Sequence, residues 1–225
     1  MFYMSKIGGR KKVQANKQRQ KTVGFCSFVS QFSQLCFIGN TNTKEEFLMQ
    51  NLTNIIKEAT ERVPEGYFHL NIDGGDPIYR ERVYCYELYH QLRCLWPSDT
   101  EYYLNGEIDK AAHPILRELG ADRIKPDFLV HKPGYMSGNH AIIEVKKEDV
   151  DRAGLKKDLQ TLQLFLQTVR YERAIYLIYG YNIKEEALLN LILNVYEEVS
   201  GSEVIEIWFH REANQQAEHV LSIGV

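Results

Sequence analysis

No run of about 20 consecutive apolar residues occurs in the chain, so a membrane-spanning helix is not expected. Cysteine is scarce: Cys26, Cys36, Cys85 and Cys94 are the four. None falls in the C-x₂-C spacing of a zinc site. Cys85 and Cys94 share one expected helix, too far apart along it to bridge, so a reducing, cytoplasmic setting is expected. No internal repeat is visible. Acids are missing from residues 1–43, which carry seven basic residues: Lys6, Arg10, Lys11, Lys12, Lys17, Arg19 and Lys21. Within that segment TVGFCSFVSQFSQLCFI is broken by Ser and Gln and offers no clear small-residue cleavage site. A secretory signal is therefore not expected, and an organelle transit peptide is the lesser alternative.

What is present points to one folded domain. The 225 residues are 44% hydrophobic and 12% aromatic, with 14 Tyr, which allows one sizeable core and excludes a disordered chain. The net charge of −3 is unevenly spread. Of 27 Lys/Arg, seven lie in residues 1–43, which leaves 20 against all 30 acids, a balance of −10, in the remainder. The organisation expected is a basic extension over 1–43, poorly ordered or polyanion-binding, and a single acidic domain over 44–225.

Residues 44–64 place Phe47, Leu48, Leu52, Ile55 and Ile56 at helical spacing, with Thr43 and Glu46 as a capping box. NIDGGDP then marks a turn. A second helix is expected over 79–95, with Tyr84, Cys85, Leu88, Leu92 and Leu95 on its apolar side and WPS ending it. Strands are expected at EYYLNGEI, KPDFLVH and HAIIEVK, followed by a helix over 150–170 with Leu155, Leu159, Leu162, Leu166 and Val169 on one side. AIYLIYGY (174–181) reads as a buried strand, 184–199 as a helix, and VIEIWFH (204–210) as the last strand. The order α-β-β-β-α-β-α-β predicts an α/β (α+β) fold, a mixed central sheet flanked by helices.

The hairpin 122–147, DRIKPDFLVHKPGYMSGNHAIIEVKK, carries charges inside its strands. Side chains alternate faces along a strand, so Glu144 and Lys146 share one face while Ile143 and Val145 take the core side. In the simplest register, with His131 opposite His140, Asp127 falls opposite Glu144. Two carboxylates so placed lie about 5 Å apart at Cβ and repel. A shared proton or an intervening cation offsets that, and a hard divalent cation suits oxygen ligands. The plain alternative is a solvated polar face, since a D…E-x-K spacing alone recurs by chance.

Pro126-Asp127 with Glu144-Val145-Lys146 resembles the PD-(D/E)xK motif of the restriction-endonuclease-like nuclease superfamily. The order α-β-β-β-α-β over roughly residues 79–181 is similar to that superfamily's core. The resemblance is to a bacterial-type member rather than to a restriction enzyme. It implies Mg²⁺, or Mn²⁺ in its place, bound by Asp127 and Glu144 with the Val145 carbonyl as a further ligand. It also implies that Lys146 positions or activates the attacking water. Many members add an acid on the first core helix. Glu81 lies on the same line of that helix as Leu88 and Leu92, and Glu87 lies about 120° away. Glu81 is the expected helix acid, a catalytic residue and further metal ligand by what the resemblance implies, and the YRER stretch is similar to the helix-one pattern of archaeal Holliday-junction resolvases.

The activity implied is that of a Mg²⁺-dependent nuclease, a DNA endonuclease in defence, repair or recombination, with DNA expected over RNA and a homodimer as one way to cut both strands. Two alternatives stand beside it: a catalytically silent nuclease-like module that binds nucleic acid in a larger complex, and a protein-interaction domain whose hairpin face is solvated. Gln160, Gln163 and Gln167 lack a Tyr four residues later, a departure from the exonuclease branch that uses Gln-x-x-x-Tyr, and are expected on a polar helix face. Lys156 and Lys157 are candidates for phosphate contact, and Glu107, Asp109 and Lys110 for supporting the site. His113, His131 and His140 are expected to be polar strand ends rather than metal ligands, and the Tyr residues of helix 79–95 to pack rather than stack on bases.

Overall fold

The computed structural model describes residues 41–107, 117–118, 124–199 and 201–224, with the side chains of 41–50 left aside. The basic segment expected over residues 1–43 lies almost wholly outside these residues, as do Asp109, Lys110 and His113. The described chain is α+β. Three helices come first: α1 (Thr41–Glu61), the one-turn α2 (Glu65–Phe68) and α3 (Glu81–Leu95). Then follow β1 (Tyr103–Gly106), β2 (Phe128–His131), β3 (Asn139–Lys147), α4 (Arg152–Gln167), β4 (Arg173–Tyr179), α5 (Glu185–Tyr196), β5 (Ile205–His210) and β6 (Glu218–Ile223). Among the described residues no helix is long and apolar enough to cross a membrane.

The strands form one six-stranded sheet in the order β1-β2-β3-β4-β5-β6. β1, β2 and β3 are antiparallel neighbours, β3, β4 and β5 are parallel, and β6 returns antiparallel to β5. Helices cover both faces. Leu52, Ile56, Phe68, Tyr84, Leu88 and Leu92 from α1–α3 pack on Ile143, Val145, Ile175 and Leu177. On the other face Leu155, Leu159, Leu162, Leu188 and Ile192 from α4 and α5 pack on Leu129, Ile142, Tyr176 and Ile178. Coverage from both sides explains why all seven residues of β4 are buried and why RAIYLIY reads as one apolar run.

The hairpin register holds where the core fixes it. Phe128 pairs with Ile143, Leu129 with Ile142 and Val130 with Ala141. A bulge after Val130 then brings His131 opposite Asn139, not His140 as the simplest register has it. The bulge is free to form because the loop end lies beyond the apolar pairs that pin the register. The chain turns through Lys132-Pro133-Gly134-Tyr135, where Tyr135 N–H donates to the Lys132 carbonyl and Gly134 has φ +84°. Proline second and a left-handed glycine third make this a type II turn.

β6 goes beyond the sequence reading, which ended the strands at His210. EHVLSI is an edge strand with a single fully buried residue, Ile223, so its apolar pattern is weak and its partner β5 defines it. α4 is stopped at its N-terminus by Asp151, whose Oδ1 accepts from Gly154 N–H. Asp151→Ala is expected to cost about 1 kcal/mol, read as a lowered urea midpoint with an unchanged slope. A midpoint that does not move would show that the cap contributes nothing.

Candidate active site

β2 begins at Phe128, whereas β3 runs on to Lys147. Past Ile143 the β2 side of β3 therefore has no strand partner. Asp127 fills the first vacant place: its Oδ2 accepts from Val145 N–H at 2.7 Å. Pairing groups of one strand residue leave the backbone on the same side, so the Val145 carbonyl also faces the Asp127 side. Glu144, 7% exposed, lines the same cavity as Asp127, and the Asp127 charge acts on its carboxyl. The expected Asp127–Glu144 juxtaposition is thus present.

Burial raises the Glu144 carboxyl well above the usual carboxylate range, and the charges of Asp127 and Asp158 add to that. Burial also pushes Asp127 up to about 6, against the Val145 N–H, which lowers it. Each charge disfavours the other's ionisation, so the pair ionises less readily than two isolated carboxyls.

Lys146 projects on the same face as Glu144. Its Nζ lies 3.1 Å from Glu81 Oε1 and 3.7 Å from Asp158 Oδ2. Burial opposes its charge, but Asp158 and Glu81 outweigh that and hold its pKa above the ordinary value. Glu81 comes from the first turn of α3 and reaches the site. Glu87 does not line the cavity and instead accepts from Gln91 Nε2 at 2.6 Å one turn along the same helix. Asp158 comes from α4 and escaped the sequence reading. The signal was available: Asp158 sits at the i+3 position of the stripe Leu155, Leu159, Leu162 and is 6% exposed. A buried acid on an apolar stripe calls for a partner.

These groups line a cavity of about 480 Å³, together with Arg82, Glu107, Lys125 and Lys157. Cys85 closes its wall as an inert thiol, its pKa raised by burial first and then by Asp127 and Glu81. Glu107, at the end of β1, is turned by a left-handed φ of +39°; its N–H donates to the Asp127 carbonyl, and its Oε1 lies 3.5 Å from Arg82 Nε. Lys157 faces the cavity, whereas Lys156 Nζ is held by Glu198 at 3.0 Å.

The other candidates lie elsewhere. Gln163 is not on a polar face: it is 2% exposed and donates to Tyr196 Oη and the Glu203 carbonyl, tying α4 to the segment after α5. His131 contacts Asn105 and His140 contacts Glu172, so the two imidazoles diverge. Of the helix tyrosines, Tyr84 is buried and stacks on Tyr179 at 3.9 Å, while Tyr86 is 61% exposed.

Asp127 and Glu144 bring carboxylate oxygens to the cavity, and the Val145 carbonyl lies on the Asp127 side of β3. Among the described residues, no group of three or more His, Cys, Asp or Glu is arranged to hold a metal ion. Glu81, expected as a further metal ligand, is instead paired with Lys146, and Asp158 also faces that ammonium. The protein oxygens at the site are thus two carboxylates and one carbonyl, which do not make an all-protein cage for a cation. Comparison of the chain with family models, with curated proteins and with solved structures returned no match in any of the three.

Proposed function

We propose that this chain is a Mg²⁺-dependent nuclease of the PD-(D/E)xK type that hydrolyses phosphodiester bonds in DNA. The observation that carries this reading is that Asp127 and Glu144 line one cavity, with Lys146 on the same strand face as Glu144 and in the same lining. The residues that would hold the cation are Asp127, Glu144 and the Val145 carbonyl. When bound, such a cation supplies a water of lowered pKa and neutralises phosphate charge. Lys146 stabilises charge developing on the phosphate oxygens, and Glu81 keeps its ammonium over the acids. Arg82, Lys125 and Lys157 reach the same cavity from α3, from the segment before β2 and from α4, and offer the positive charge that engages neighbouring phosphates.

The test is incubation of the purified protein with supercoiled plasmid, linear duplex, single-stranded DNA and RNA, each with Mg²⁺, Mn²⁺ or EDTA. Cleavage of DNA with either metal and none with EDTA is the expected result. Cleavage that EDTA leaves intact, or no cleavage of any substrate by a protein that Mg²⁺ stabilises, overturns the nuclease reading. The two lysines of α4 separate in the same assay. Lys157→Ala should raise KM several-fold and reduce the salt slope of DNA binding by about 1. Lys156→Ala should change neither, because its ammonium is already held by Glu198.

A further inference from the structure

Asp158 has no part in the motif that prompted the functional reading, yet the fold places it with care. Its carboxylate lies inside the α4 face, beside Leu155, Leu159 and Leu162, where an unpartnered charge costs several kcal/mol. Two groups meet it. The Tyr176 hydroxyl, itself fully buried on β4, donates to Oδ2 at 3.2 Å. The Lys146 ammonium stands 3.7 Å from the same oxygen. Tyr176 is the register partner of Glu144 across β3 and β4. Asp158 is thus fixed from behind by the strand that neighbours the acidic pair. It faces Lys146 from α4, while Glu81 faces it from α3.

From this arrangement we infer that Asp158, fixed by the Tyr176 hydroxyl, is a positioning residue that holds the Lys146 ammonium between α3 and α4, over the Asp127–Glu144 pair. The inference rests on the nuclease reading only for its effect on rate. Glu81 alone, at 3.1 Å, draws the ammonium toward the start of α3. Asp158 supplies the opposing pull, and Tyr176 keeps its carboxylate from rotating away. Asp158 does not need to touch the cation or the substrate for this role.

Asp158→Asn is the near-isosteric test, because Asn can still accept from Tyr176 but no longer attracts an ammonium. Three quantities are to be measured: kcat and KM on a cleaved DNA, the Mg²⁺-induced thermal shift, and the side-chain ammonium signal of Lys146 in ¹⁵N-lysine-labelled protein. The expected result is a fall in kcat of about 10–100-fold, with KM and the Mg²⁺ shift unchanged, and a broadened Lys146 signal. Tyr176→Phe should move kcat and the signal in the same direction by less, and covers the case in which Asp158→Asn fails to fold. An unchanged Lys146 signal in a folded variant overturns the inference. So does loss of the Mg²⁺ shift along with kcat, which would make Asp158 a metal ligand. If the wild-type protein cuts nothing, the nuclease reading falls, and the Lys146 signal still decides the role of Asp158.

Discussion

Lys146→Ala is expected to lower DNA cleavage by about 10²–10³-fold, the usual cost of removing one preorganised group that faces developing charge. Lys146 is well suited to such a role. Its carbon chain runs along the β3 face shared with Glu144, and its ammonium is held at 3.1 and 3.7 Å by acids from two helices. A charge held in this way needs little reorganisation as the reaction proceeds. The loss should fall on kcat, because the cation is assigned to Asp127 and Glu144, and the Mg²⁺ thermal shift should persist. Lys146→Gln, which keeps most of the length and a hydrogen-bond donor, should lose nearly as much if charge is what matters. Circular dichroism and thermal melting separate this from unfolding. A folded Lys146→Ala protein with wild-type kcat would remove Lys146 from the site.

The acidic pair leads to a second result, on stability. Both carboxyls have pKa values raised on folding, Asp127 to about 6 and Glu144 further above its ordinary range. An acid with a raised folded-state pKa makes the native state bind more protons than the unfolded one, so stability falls as pH climbs. The window opens near the unfolded values, about 4, and extends through the Asp127 value of about 6 and the raised Glu144 range. Metal-free protein should therefore weaken across this window by about 3 kcal/mol from Asp127 alone. His210 acts in the opposite sense: burial lowers it to about 4, so its contribution rises with pH up to the unfolded value near 6.5. The clean measurement is a difference. Without metal, Glu144→Gln should match the wild type near pH 4 and be more stable than it at pH 8. Mg²⁺ at about 100 times its Kd should then stabilise the wild type by about 2.7 kcal/mol and the variant by much less. Equal stability at pH 8, or equal Mg²⁺ shifts, would mean that the two acids do not repel at this site.

Much of the architecture was legible because each element carries its own period. The Leu155–Leu166 stripe, the Leu88–Leu92 stripe and the run AIYLIY needed no partner to be read, and together they specify a mixed sheet with helices on both faces. Asp127, Glu144 and Lys146 were legible for a related reason. Alternation along a strand and a register fixed by Phe128–Ile143 and Leu129–Ile142 are local consequences of an apolar core. β6 was not, because an edge strand hydrogen-bonds to one neighbour and exposes most of its side chains.

The sequence by itself determined which residues face the core, which charges share a strand face, and which acid of α3 lies in line with its apolar stripe. Only the tertiary structure decided what those charges meet. Glu81 and Asp158 are 77 positions apart and belong to helices packed on opposite faces of the sheet, so no period in the chain links them. They converge on Lys146 because β2 ends before β3 does, opening a cavity at the strand ends that both helices reach. The same opening lets Asp127 accept the Val145 N–H that a longer β2 would have taken. Burial in that cavity raises the pKa of both acids, a property that depends on solvent exclusion and distance and that spacing along a chain does not encode.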